Sequence, residues 1–65
     1  MQTVEISDRL LKVAGVVQMT GYSDQHIRAL VKRGQIPGFK LQGRWRFRER
    51  EILEWIQAAQ EEAQQ

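Results

Sequence analysis

The chain has no cysteine, one histidine, one proline and no apolar run approaching the roughly 20 residues that cross a bilayer. Without thiols there are no disulfide staples, no thiolate zinc cluster and no cysteine nucleophile. A lone His26 does not make up a structural zinc site. The stretch from Met1 to Leu11 carries charges where a signal peptide needs a hydrophobic run, so the expectation is a soluble, cytoplasmic protein with no membrane partner. At 65 residues there is room for one domain. A domain of this size buries only about 60% of the surface its unfolded chain exposes, which leaves a thin core and little space for a deep substrate cavity.

What is present is charge, unevenly spread. The formal net charge is only +2. Between Arg28 and Arg50, however, eight Lys or Arg stand against the single Glu49, a local balance of +7, while the rest of the chain has two basic residues against seven acidic ones, −5. Charges that served solubility alone would be interspersed. Segregation of this kind points to a positive face for a polyanion, although a solvated face that happens to be basic fits the charge count equally well.

Residues 1–9 have no clear period and read as an N-terminal arm. From Leu11 the apolar positions Leu11, Val13, Val16, Val17 and Met19 include helical spacings, giving a first helix from Lys12 or Val13 to Thr20, ended by Gly21. Gly15 and three valines lower its intrinsic propensity, so it must lean on its neighbours. Ser23 can cap a second helix, Asp24 favours its positive end, and Gly34 can terminate it after Arg33. Ile27, Leu30 and Val31 form the buried stripe, with Asp24, Gln25, Arg28, Ala29 and Lys32 opposite. Two short helices joined only by Gly21, Tyr22 and Ser23 match a helix-turn-helix, a pattern shared so far with any small three-helix bundle.

From Ile36 to Arg48 the period becomes alternating, with Phe39, Leu41, Trp45 and Phe47 apolar and Lys40, Arg46 and Arg48 basic, which reads as a hairpin. A two-residue Gln42-Gly43 turn sets Leu41 opposite Arg44 and Arg46 beside Phe39, mixing charge with the apolar face. A three-residue Gln42-Gly43-Arg44 loop pairs Leu41 with Trp45 and Phe39 with Phe47, and leaves Lys40 beside Arg46. The second register is the expected one, and its like-charge pair makes sense against an anion. A third helix follows, with Ile52, Ile56, Ala59 and Ala63 on one stripe and Leu53 and Trp55 beside it. Its start has no good cap, and Arg48 and Arg50 oppose the dipole there. The tail 60–65 reads as a fraying helix end.

Nothing in this pattern assembles a catalytic centre. Glu49, Glu51 and Glu54 lie on one short helix as ordinary solvated charges, and Ser23 has no histidine placed to activate it. Neither a metal nor a cofactor is expected. Trp45, Trp55, Phe39 and Phe47 are capable of stacking on unpaired bases, but their in-phase spacing assigns them to packing, where each removes roughly 150 to 250 Å² from water.

The succession Leu30-Val31-Lys32-Arg33-Gly34, Ile36-Pro37, Phe39-Lys40-Leu41, Gly43-Arg44-Trp45-Arg46-Phe47 and Trp55-Ile56 resembles the excisionase-type, MerR-like winged-helix DNA-binding domains. The resemblance runs from about Leu10 to Ile56. It implies a small α+β winged helix-turn-helix of about three helices with a two-stranded hairpin wing, the domain spanning 10–59. In that family the helix after the turn enters the major groove and the wing meets backbone or minor groove. Carried over by position, Gln25, Arg28 and Ala29 are expected to read bases, Ser23, His26, Lys32 and Arg33 to hold phosphates, and Lys40, Arg44, Arg46 and Arg48 to contact DNA from the wing. Asp24, Gly15 and Arg48 depart from the common pattern. The family includes excisionases, which bend DNA and direct a site-specific recombinase (integrase), and small phage or plasmid transcription regulators. A short chain with no effector or catalytic module favours the excisionase kind: a nucleoid-associated factor of bacterial or phage origin, binding double-stranded DNA as head-to-tail copies on repeated sites. Two other readings stay open, an interaction module for an acidic protein and the DNA-recognition domain of a phage packaging subunit.

Overall fold

The computed structural model describes residues 9–63. The arm read over 1–9 lies outside them apart from Arg9, as does the very end of the tail. The element order is β1 (Leu10–Leu11), α1 (Val13–Thr20), α2 (Asp24–Lys32), β2 (Phe39–Leu41), β3 (Arg44–Arg48) and α3 (Glu49–Ala63). This is the small α+β winged helix-turn-helix that the resemblance implies, three helices with a three-stranded antiparallel sheet.

The local signals set the helix limits. α1 ends at Gly21, whose φ is 80° and whose N–H donates to the Val17 carbonyl at 2.8 Å. The Thr20 hydroxyl donates to the Val16 carbonyl and accepts from the Tyr22 N–H, stiffening the turn. Ser23 caps α2 by accepting the His26 N–H at 3.1 Å. At the other end Gly34 and Gln35 donate to the Val31 and Leu30 carbonyls, the paired bonds of a Schellman motif.

The hairpin departs from the expected register. Phe39 pairs with Arg46, Lys40 with Trp45 and Leu41 with Arg44, around a two-residue Gln42-Gly43 turn. Both turn residues have positive φ, 54° and 79°, as in a type I′ turn, whose twist matches that of the strands it joins. The three-residue loop is the register that keeps arginine off an apolar face. That face is not the core face: directly paired residues share a face, so Phe39 and Leu41 lie with Arg44, Arg46 and Arg48, while Phe47 is buried in the core and Trp45 packs against it. The Arg48 guanidinium stands 5.7 Å from the centre of the Phe39 ring, and Lys40 Nζ stands 5.2 Å from that of Trp45. Lys40 and Arg46 are therefore not a cross-strand pair, and no anion is needed to reconcile them.

The sheet also gains a strand. Leu10 and Leu11 pair with Arg48 and Phe47 on the free edge of β3, giving the order β1-β3-β2. This addition supports the start of α3. The Glu49 N–H donates to the Arg9 carbonyl at 2.9 Å, the Arg9 guanidinium meets the Glu49 carboxylate at 3.4 Å, and Glu49 and Glu51 supply negative charge in the first turn. The expected conflict between Arg48, Arg50 and the helix dipole is thus offset within the chain.

The core is a single cluster of Leu11, Val13, Val16, Ile27, Val31, Ile36, Phe47 and Ile52. Phe47 is wholly buried at its centre. β2 is reached through Gly38, where a Cβ would stand 2.7 Å from Val31 Cγ2 and 2.8 Å from the Phe47 ring, so only a residue without a side chain lets the backbone approach. Trp55 is half-buried and ties α3 to the loop after α2 by donating from Nε1 to the Gln35 carbonyl at 2.9 Å. Leu53, placed beside the buried stripe by periodicity, is exposed. No helix among the described residues is long and apolar enough to cross a membrane.

Candidate nucleic-acid interface

Three elements converge on one groove of about 640 Å³: the start of α1, the outer stripe of α2 and the tip of the wing. Six cationic side chains line it, Lys12, Arg28, Lys32, Lys40, Arg44 and Arg46, with Asp24 the single acid among them. Residues four apart on a helix stack on one side, which puts Asp24, Arg28 and Lys32 in a row along α2. The wing brings its cations to the same groove because the two-residue turn places Arg44 at the tip, directly across from Leu41.

The sequence-derived residues divide into two groups. Arg28, Lys32, Lys40, Arg44 and Arg46 come together in the groove. Gln25 is exposed and Ala29 half-buried on a row about 100° round α2, outside the groove lining. The Ser23 hydroxyl is engaged as the cap of α2. His26 stacks on Tyr22 with ring centres 4.5 Å apart, and Tyr22 in turn meets Trp55 edge-on at 6.5 Å, so this imidazole belongs to an aromatic group between α2 and α3. Arg33 forms the C-cap of α2, and Arg48 lies against Phe39 on the outer side of the wing.

One groove cation escaped the sequence reading. Lys12 precedes α1 in extended conformation, φ −84° and ψ 171°, and joins the groove because β1 docks on β3 and swings the start of α1 toward the wing. The only local signal was a lysine at a helix start, where it opposes the dipole and is unexplained by helix stability.

Within the groove two cations are held in place. Arg28 Nε donates to Asp24 Oδ1 at 2.6 Å, and Arg46 Nη1 donates to the Trp45 carbonyl at 2.8 Å. An open trough with this density of positive charge suits a phosphate backbone and the base edges beneath it. Among the described residues no group of His, Cys, Asp or Glu is arranged to hold a metal ion.

A family model described as a helix-turn-helix domain matches residues 10–60. No curated protein and no solved structure matches the chain.

Proposed function

Because the chain belongs to the helix-turn-helix domain family, whose members bind DNA, we propose that it acts as a sequence-specific architectural factor of the excisionase kind on double-stranded DNA. The observation that carries this reading is the cationic groove shared by α2 and the wing. Arg28 reads a base edge, and Gln25 and Ala29 flank it on the same helix. Lys12, Lys32, Lys40, Arg44 and Arg46 neutralise phosphates, with Ser23, His26, Arg33 and Arg48 at the margins of the contact. One such groove spans few base pairs, so selective occupancy among competing sites calls for several copies side by side on repeated sites. Head-to-tail loading of this sort bends the duplex and prepares it for a site-specific recombinase.

The test is a salt titration of binding to a mixed-sequence duplex by fluorescence anisotropy, followed by footprinting on sequences selected from a random pool. Five phosphate contacts give a log-log salt slope of roughly −4 to −5. Contiguous, cooperative protection over repeated sites supports the architectural role, and isolated single-copy footprints favour a simple transcription regulator instead. Absence of duplex binding at low salt assigns the groove to an acidic protein partner.

A further inference from the structure

Asp24 is the one groove residue that opposes DNA binding by its charge. It lies in a trough built to meet phosphates, more than half exposed, with six cations around it. Its carboxylate accepts a 2.6 Å hydrogen bond from Nε of Arg28, four residues on. As a stabilising device this contact is minor, since exposed ion pairs at this spacing contribute only a few tenths of a kcal/mol to a helix. The geometry of the contact is more informative than its energy. A guanidinium has five N–H groups in one rigid plane. Holding Nε restrains that plane and leaves the two terminal nitrogens, Nη1 and Nη2, available as a parallel fork.

We infer that Asp24 is a positioning residue that orients Arg28 for bidentate recognition of a guanine, at the expense of general affinity for DNA. This inference rests on the proposed base-reading role of Arg28. Guanine offers two adjacent acceptors in the major groove, O6 and N7, and a fixed arginine fork matches them. A guanidinium free to turn reaches phosphates as readily as bases, and phosphates are the same at every position. Holding Nε removes much of that freedom before binding, so less order is lost on contact with the correct base. The carboxylate also repels any backbone that approaches without seating Arg28 on its base, which penalises wrong sites.

Two opposite changes should therefore accompany loss of the carboxylate. Sites are selected from a random duplex pool with the unaltered protein, and the position read by Arg28 is the one at which Arg28→Ala loses its preference. In Asp24→Ala, preference for guanine at that position falls by about tenfold or more, while binding to a mixed-sequence duplex strengthens several-fold. Asp24→Glu, which keeps an acceptor and a charge, restores the preference at least in part. Thermal melting by circular dichroism checks that all variants are folded. Undiminished guanine preference in Asp24→Ala overturns the positioning role and leaves DNA reading by Arg28 intact. Weakening on every duplex alike also overturns it, because that is the result of a merely structural carboxylate. A protein that selects no sequence at all overturns base reading itself, and the orienting role with it.

Discussion

The two sides of β3 show how so short a chain builds a core and a binding surface from the same five residues. Trp45 and Phe47 face inward, half-buried and fully buried, while Arg44, Arg46 and Arg48 face outward along the same backbone. Strand geometry makes the alternation strict, because successive side chains leave the sheet on opposite sides. Packing and charge are therefore interleaved residue by residue along β3, while across the hairpin they meet, with Lys40 beside Trp45 and Phe39 and Leu41 beside the arginines. Stability and DNA affinity should accordingly separate by parity along the strand.

The sharpest break comes on the inner side. Phe47→Ala removes the central ring of the core and costs about 3–5 kcal/mol, as much as a core of this size supplies in total, about 3–5 kcal/mol. The expected outcome is loss of the cooperative melt, and a well-defined transition only a few degrees lower would contradict the central place of this ring. Gly38→Ala drives a methyl group into Val31 and Phe47 and should cost about 1–3 kcal/mol in urea unfolding. Its effect reaches the wing from the inside, so DNA binding declines only as the folded fraction does.

On the outer side the order of effects reverses. Arg44→Ala should leave stability within about 0.5 kcal/mol, yet weaken binding to mixed and selected duplexes alike and make the salt slope shallower by about 1. A change in stability with unchanged salt dependence would place this arginine in packing and not at the interface. The smallest effect concerns register. Leu41→Ala, on the open face beside Arg44, should shift stability by no more than about 0.5 kcal/mol. Pairing of Leu41 with Trp45 on the core side would instead make the same change cost about 2–5 kcal/mol, so one denaturation curve distinguishes the two hairpins.

These contrasts bear on what could be read in advance. Helix limits were legible because their signals are local: Ser23, Gly21 and Gly34 each act within a turn of their own position. The strand alternation was legible too, but not its pairing. The charge pattern favours the three-residue loop, whereas the observed two-residue register depends on which side of the hairpin is open to solvent. Arginine beside Phe39 conflicts with packing only on a core face, and this face lies away from the core, with the guanidinium of Arg48 over the Phe39 ring. Leu10–Leu11 escaped notice as a strand because two residues carry no period, and their partners Arg48 and Phe47 come 38 and 36 positions later.

The three helices, their ends, the alternating hairpin and the concentration of positive charge between Arg28 and Arg50 were legible in the chain alone, since each follows from neighbours along it or from plain counting. Which of those charges share a groove is set by long-range packing. It drew in Lys12 through the docking of β1, left Arg33 and Arg48 outside, and aligned Asp24 with Arg28 and Lys32 opposite the wing. The physical reason is that a side chain's neighbours across a sheet or between a helix and a hairpin are fixed by packing and register, and both are settled by contacts between residues far apart in the chain.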